Sequence, residues 1–221
     1  MKVGTDGVLL GAWAPVDHDP FSILDIGAGT GLLALMLAQR CNAEQIEALE
    51  IDADAHEECV GNFENSPWND RLFCFHASLD DFMDEIEDEE YDLIVSNPPY
   101  HVEDYFSGDE KRDAARFTAS LPFADLCEAA SVLLSDEGIF CVIIPFSAEP
   151  HFISLARENE LFPVKITRVK GTSTADIKRS LLAFSRMAVE NFPVDELVIE
   201  TARHQYTDDY VQLTRDFYLK M

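Results

Sequence analysis

The sequence lacks any apolar run near the roughly 18–20 residues that a membrane-spanning helix needs. Its first 20 residues lack a basic start followed by an apolar core, so no signal peptide is predicted. The number of cysteines, five, is odd, and no two of them have CxxC spacing. The six histidines are scattered, so neither residue type forms a cluster with the spacing of metal ligands. We therefore expect a cytoplasmic protein with reduced thiols and no metal site. A monomer is our working expectation, although the sequence itself does not determine the oligomeric state. The length of 221 residues predicts a single domain over 1–221.

Basic side chains are scarce, since 16 Lys and Arg stand against 42 Asp and Glu, a formal charge of −26. Taken alone, that charge argues against nucleic acid as a partner, because phosphate binding relies on Lys and Arg. The charge is uneven, however, with −27 in residues 1–161 and +1 in residues 162–221. Within 165–186 there are six basic residues and one acid, Asp176, which leaves open either a solvated face or a segment that binds phosphate groups.

Apolar segments of strand and helix type alternate along the chain, a pattern typical of an α/β fold with a parallel sheet. We predict seven strands, mostly parallel, with helices on both faces. The predicted strands are Ser22–Ile26, Ile46–Ile51, Leu72–Ala77, Tyr91–Ser96, Gly138–Pro145, Val164–Val169 and Ser180–Arg186. The predicted helices are Leu32–Arg40, Ala53–Asn65, Leu121–Leu134, Glu149–Glu160 and a closing helix Thr207–Tyr218, with Thr207 as its cap.

A glycine-rich loop, Asp25-Ile-Gly27-Ala-Gly29-Thr-Gly31, lies between the first strand and the first helix. Glycines there let a ligand approach the backbone, and the helix start supplies unpaired N–H groups. A dinucleotide-binding GxGxxG fingerprint needs a glycine at position 32, which is Leu32. The spacing instead resembles the Rossmann-like class I methyltransferases, which implies S-adenosylmethionine as the cofactor and Asp25 among the residues of its site.

Acidic residues follow the next two strands. Glu50 ends the second strand, where a carboxylate can accept hydrogen bonds from both ribose hydroxyls. Asp52 is either a second ribose contact or a helix cap. After the third strand, Ser78 and Asp80 are expected to meet the adenine of the cofactor.

The tetrapeptide Asn97-Pro98-Pro99-Tyr100 closes the fourth strand. Two prolines cannot continue a central strand, so the chain must turn there. An exocyclic amine on an aromatic ring is a poor nucleophile because its lone pair is delocalised. The Asn97 side-chain oxygen and the Pro98 carbonyl can accept its N–H groups, and Tyr100 can stack on the base. The tetrapeptide therefore predicts methyl transfer to an amide-like nitrogen.

The tetrapeptide and the glycine loop together resemble the amino-methyltransferases that act on adenine, cytosine, guanine or glutamine amide. The opening Lys2-Val-Gly-Thr-Asp-Gly-Val-Leu-Leu-Gly-Ala-Trp13 narrows the resemblance to the bacterial tRNA(Val) adenine-37 N6-methyltransferase family. It continues through Arg112–Thr118, Gly171–Phe184 and Tyr206–Lys220. The family implies tRNA as the substrate and methylation of the adenine beside the anticodon.

The resemblance also implies that the N-terminal segment 1–20 lies near the cofactor, with Thr5 and Asp6 at its methionine end. An ordinary turn before the apolar run Val8–Trp13 is the alternative interpretation of these two residues. The family carries a further stretch of some 15–20 residues before the counterpart of Met1, and that stretch is absent from this sequence.

Strand order in this fold class predicts where the RNA binds. The sixth strand should carry the loop Thr172–Arg179 to the edge of the sheet that holds Asn97. Two sets of basic residues would then flank the target base; they are Lys170, Lys178 and Arg179 on one side and Lys111, Arg112 and Arg116 on the other. The alternatives left open are another amide-like target in rRNA, DNA or a protein glutamine, and a non-catalytic scaffold that binds cofactor and RNA.

Overall fold

The computed structural model of the protein describes residues 4–86, 89–99 and 121–219. In this part of the chain nine strands form one sheet in the order β3-β2-β1-β4-β5-β7-β6-β8-β9. The strands are β1 (Ser22–Ile26), β2 (Gln45–Glu50), β3 (Leu72–His76), β4 (Tyr91–Ser96), β5 (Leu134–Pro145), β6 (Phe162–Thr172), β7 (Ile177–Ser185), β8 (Val194–Ala202) and β9 (Gln205–Tyr206). β1 to β5 are parallel, and β7 runs antiparallel to its neighbours β5 and β6.

Seven helices accompany the described strands. They are α1 (Thr5–Trp13), α2 (Leu32–Arg40), α3 (Ala53–Glu64), α4 (Leu79–Glu85), α5 (Phe123–Leu133), α6 (Glu149–Glu158) and α7 (Asp208–Thr214). None of the described helices is long and apolar enough to cross a membrane.

The two faces of the sheet bury separate apolar cores because successive strand residues point to opposite faces. In β1, Ile23 packs with α1 and α2, whereas Leu24 and Ile26 pack with α5 and α6. Helices therefore cover both faces, as the alternating sequence predicts. The five cysteine thiols are free, and Cys59, Cys127 and Cys141 lie in these cores.

Helix α1 is locked onto the sheet by polar contacts as well as by its apolar residues. Arg40 Nη1 donates to the carbonyls of Gly11 and Ala14, each at 2.7 Å. A Cβ at Gly11 would lie 2.7 Å from Met36 Sδ, so a side chain there would require the Met36 side chain to move. Trp13 Nε1 donates to Thr167 Oγ1 on β6 at 2.9 Å. These contacts hold the C-terminal end of α1 against α2 and β6.

The α/β class and its mostly parallel sheet are confirmed, but the prediction of seven strands was wrong, since the described residues form nine. β8 was not predicted because polar residues interrupt its apolar pattern and only Leu197 is buried. β9 has two residues, too few for a periodic pattern. The cap at Thr207 is confirmed, since its Oγ1 accepts the Tyr210 N–H at 3.2 Å.

Candidate active site

The glycine-rich loop connects β1 to α2 in a conformation that side chains disfavour. Gly27, Gly29 and Gly31 have φ angles of 75°, 59° and 79°, in the left-handed region. A Cβ at Gly31 would lie 2.5 Å from the ring of Phe63, so this glycine also permits close helix packing. A Cβ at Gly27 would meet nothing within 4 Å, so the loop faces open space there.

Glu50 ties the glycine loop to the end of β2. Its side chain is buried, and Oε2 accepts the Gly29 N–H at 2.7 Å while Oε1 accepts the Asp52 N–H at 2.8 Å. A carboxylate has about four lone-pair positions, so both oxygens can accept one further hydrogen bond. A buried carboxylate with spare acceptors beside an open glycine loop fits the ribose of S-adenosylmethionine.

Asp25 lies beneath the loop and is fully buried. Its Oδ2 accepts the Ala34 N–H at 3.3 Å, and Oδ1 has no hydrogen-bond partner. The pKa of Asp25 is raised to about 7, mainly because the carboxyl is buried; the hydrogen bond from the Ala34 N–H lowers the pKa, and the charge of Glu50 adds to the increase. The aspartate predicted for the cofactor site therefore supports the start of α2 from inside.

Two other predicted cofactor residues cap helices. Asp52 Oδ1 accepts the Ala55 N–H at 2.9 Å at the start of α3, which is the alternative role considered for it. Ser78 Oγ accepts the Asp81 N–H at 3.0 Å and so caps α4. Asp80 is exposed in the first turn of that helix. Both helices begin at the carboxyl ends of strands, on the edge of the sheet that carries the glycine loop.

The Asn-Pro-Pro segment ends β4 directly beside the glycine loop. Ser96 pairs with Ile26, and its Oγ donates to the Ile26 carbonyl at 2.8 Å. Asn97 and Gly27 are therefore the next residues of two adjacent parallel strands. Pro98 is buried, Asn97 is partly buried and Pro99 is exposed. Tyr100, predicted to stack on the base, lies outside the described residues.

The first turn of α1 closes the other side of Asn97. A Cβ at Gly7 would lie 3.9 Å from Asn97 Nδ2 and 3.1 Å from Leu32. Thr5 is exposed at the start of this turn, and Asp6 Oδ2 accepts the Nε–H of Arg179 at 2.8 Å. Thr5 and Asp6 thus belong to a helix, not to the alternative turn. Gly7 was missed in the sequence because its position against Asn97 depends on tertiary packing.

The basic side chains of β6 and β7 are less free than the sequence suggests. β6 lies parallel to the strands that form the site, so the turn 173–176 reaches the expected edge of the sheet. Lys170 Nζ, however, pairs with Glu196 at 2.8 Å, and Arg179 pairs with Asp6. Lys178 is exposed. Lys111, Arg112 and Arg116 lie outside the described residues.

The arrangement can bind a nucleoside-type cofactor at the loop and polarise an amine at Asn97 and Pro98. Within residues 4–86, 89–99 and 121–219, His, Cys, Asp and Glu form no group of three that could hold a metal ion. The acceptors available at the site are oxygen atoms of the main chain, of amides and of carboxylates. That set suits transfer to a neutral nitrogen nucleophile.

Solved structures share this fold. A predicted O-methyltransferase from Agrobacterium tumefaciens superposes with a TM-score of 0.75 at 19% identity, over 96% of each chain. A geranyl diphosphate C-methyltransferase from Streptomyces coelicolor, solved with S-adenosyl-L-homocysteine, has a TM-score of 0.53 at 13% identity. That likeness covers 75% of this chain and 71% of the other.

Sequence comparison identifies the family. Residues 13–119 match the profile of the methyltransferase small domain. The tRNA1(Val) (adenine(37)-N6)-methyltransferase of Flavobacterium johnsoniae is 66% identical over 221 residues, which cover all of this chain and 94% of the relative. At that identity and coverage, the chain belongs to the tRNA1(Val) (adenine(37)-N6)-methyltransferase family.

Proposed function

We propose that this chain transfers a methyl group from S-adenosylmethionine to N6 of an adenine in tRNA, the adenine beside the anticodon of a valine tRNA. The observation that carries the proposal is the position of Asn97 and Pro98 beside the glycine loop, one strand away. The full-length relative named for this reaction supports the choice of tRNA and of adenine.

S-adenosylmethionine is the cofactor, and when bound it supplies an electrophilic methyl group. In our proposal Glu50 holds the ribose, and the glycine loop approaches the methionine portion from β1. Asp25 and Asp52 support the loop and α3 next to the cofactor. Thr5 and Asp6 lie at the methionine end, and Ser78 and Asp80 lie at the adenine.

Asn97 and Pro98 act on the target amine. The side-chain oxygen of Asn97 and the main-chain carbonyl oxygen of Pro98 accept hydrogen bonds from the two N–H groups of the amine. These hydrogen bonds favour a pyramidal nitrogen whose lone pair points at the methyl group. Tyr100 stacks on the base and holds it out of the RNA stack. As the nitrogen–carbon bond forms, the sulfur–carbon bond of the methyl donor breaks and S-adenosylhomocysteine would leave. The methylated, positively charged nitrogen then loses a proton to water, so the site needs no strong general base.

RNA approaches over the turn between β6 and β7. Lys178 provides an exposed charge there, while Lys170 and Arg179 contribute if phosphates compete with their carboxylate partners. Lys111, Arg112 and Arg116 are proposed for the opposite side. The acidic remainder of the chain repels RNA docked wrongly. We further propose that the enzyme is a cytoplasmic monomer with one domain.

A transfer assay with methyl-labelled S-adenosylmethionine tests the proposed function. Purified protein would be offered separate pools of unmodified tRNA, rRNA, duplex DNA and total protein. Label in tRNA that nuclease digestion recovers as N6-methyladenosine supports the proposal. Label in rRNA, DNA or protein would reassign the substrate, and cofactor binding without transfer to any pool would favour a non-catalytic scaffold.

A further inference from the structure

An aromatic ring and a guanidinium group, those of Phe146 and Arg168, lie near the carboxyl ends of the strands, where Asn97 also lies. Arg168 on β6 forms a forked contact with Glu149, from Nη2 to Oε1 at 2.7 Å and from Nε to both carboxylate oxygens at 3.2 Å. Glu149 is buried and also accepts the hydroxyl of Ser180. Because a buried carboxylate holds its edge, the guanidinium plane of Arg168 has a fixed orientation.

Phe146 lies against one side of that plane. The guanidinium carbon of Arg168 is 5.4 Å from the centre of the Phe146 ring, within the range of a cation–π contact. The Arg168 side chain keeps 34% of its surface exposed although its edge is bonded. A flat cationic group held over an aromatic ring, with solvent access, is the type of surface on which a nucleobase stacks.

The position of this pair relative to Asn97 suits a neighbouring nucleotide. Phe146 follows the last residue of β5, the strand beside β4, and Arg168 pairs with Ser180 across β6 and β7. Strands lie ~4.8 Å apart, so the pair extends from about one to about three strand spacings from Asn97. This span is comparable with the separation of adjacent nucleotides in a single strand whose bases have been splayed apart.

The local charges favour a base over a phosphate. Arg168 is paired with the buried carboxylate of Glu149, so the Phe146–Arg168 pair has no net charge to attract an anion. The contact with Glu149 raises the pKa of Arg168, so the guanidinium stays charged. Base stacking requires a flat, polarised surface, and it does not depend on a net positive charge.

We propose that Phe146 and Arg168 form a stacking platform for the base next to the target adenine, with Glu149 as the residue that positions Arg168. This inference rests on the proposed RNA substrate. It adds a binding subsite in which Phe146 and Arg168 contact the RNA and contribute to its affinity without taking part in methyl transfer.

An anticodon stem-loop that carries 2-aminopurine beside the target adenine tests the platform, with the probe placed in turn on each side. Binding to the wild-type enzyme should change the fluorescence of the probe at one of the two positions. Phe146→Leu, which keeps an apolar side chain, and Arg168→Lys, which keeps the charge, should abolish that change at saturating enzyme. Each should raise the KM for RNA by about 5- to 100-fold, as expected for one lost base stack. The KM for S-adenosylmethionine should stay the same.

Phe146→Tyr is the matched control, because it keeps the aromatic face and should retain the fluorescence change and the wild-type KM. Thermal unfolding of all variants separates a lost contact from a lost fold. An unchanged KM for RNA in folded Phe146→Leu and Arg168→Lys, with methylation intact, would overturn the platform alone. Failure of the wild-type enzyme to bind or methylate the RNA would overturn the proposed function and the platform together.

Discussion

Arg179 Nε lies 2.8 Å from Asp6 Oδ2, and this ion pair joins the first turn of α1 to the start of β7. Both side chains are about two-thirds buried. The next residue of α1, Gly7, lies against Asn97. The pair therefore helps to hold the N-terminal helix against the residue proposed to bind the target amine.

Breaking this ion pair should weaken cofactor binding more than it destabilises the fold. We expect Asp6→Ala and Arg179→Ala each to lower the affinity for S-adenosylmethionine, and the double variant to lose little more than either one. The coupling free energy in thermal unfolding should be small, about 0.2–1 kcal/mol, as for a partly exposed pair. Calorimetry on the four proteins measures both quantities.

Glu196→Ala is the control for that cycle, because it breaks the Lys170–Glu196 ion pair, which joins β6 to β8 and includes no residue of α1. It should leave cofactor affinity at the wild-type value. If Asp6→Ala weakens binding while Arg179→Ala does not, Asp6 acts on the cofactor without help from Arg179.

Removal of the Glu50 carboxylate should reduce cofactor affinity by about 1–3 kcal/mol, since a charged acceptor of hydrogen bonds is lost. Glu64→Ala, an exposed glutamate of α3, is the matched control and should bind S-adenosylmethionine normally. Asp52→Ala should lose about 1 kcal/mol of stability through its cap. Equal affinity of the Glu50→Ala and Glu64→Ala proteins would exclude Glu50 from the ribose site.

The buried Asp25 should make stability depend on pH. Because its folded pKa is about 7 against an ordinary 3.8, the protonated carboxyl stabilises the fold fully below about pH 4, and this contribution is lost as the pH rises through about 7. Asp25→Asn removes the ionisation. Because only the wild type loses this stability as the pH rises, the difference in Tm, variant minus wild type, should increase from pH 4 to pH 7. Parallel Tm curves for the two proteins would show that Asp25 does not titrate in this range.

Salt dependence should reveal the contribution of Lys178 to RNA binding. For single-stranded RNA, log affinity falls by about 0.7 per log unit of salt for each phosphate neutralised, so Lys178→Gln should reduce the slope by about that amount. Arg157→Gln removes an exposed charge near the end of α6 and is the control. Identical slopes for wild type and Lys178→Gln would show that Lys178 is only a solvated side chain.

Much of the fold could be predicted because the central strands are short apolar runs with clear ends. The predicted bounds of β1, α2 and β4 coincide with those of the structure. The positions of the glycine loop, Glu50 and Asn97 follow from the rule that parallel strands present their carboxyl ends at one edge. β8 could not be predicted in this way, since its charged residues obscure the pattern of a half-buried strand.

The pairing of the basic residues could not be predicted from sequence. Lys170, Lys178 and Arg179 look like one cationic group when read along the chain. In the fold, Arg179 meets a carboxylate 173 residues away and Lys170 meets one on the neighbouring strand. Helix capping by Asp52 and Ser78 likewise depends on where each helix begins. A residue type shows what a side chain can bind, whereas the tertiary fold decides which partner it meets.

The most direct test of the central claim is mass spectrometry of nucleosides in valine tRNA from cells that lack this gene, complemented with wild type or Asn97→Ala. We predict N6-methyladenosine beside the anticodon with wild type. Asn97→Ala should fold and bind cofactor, but its turnover on purified tRNA should fall roughly 100-fold, as for a lost preorganised polar contact. Normal N6-methyladenosine in the cells that lack the gene, or near-normal turnover by Asn97→Ala, would contradict the account.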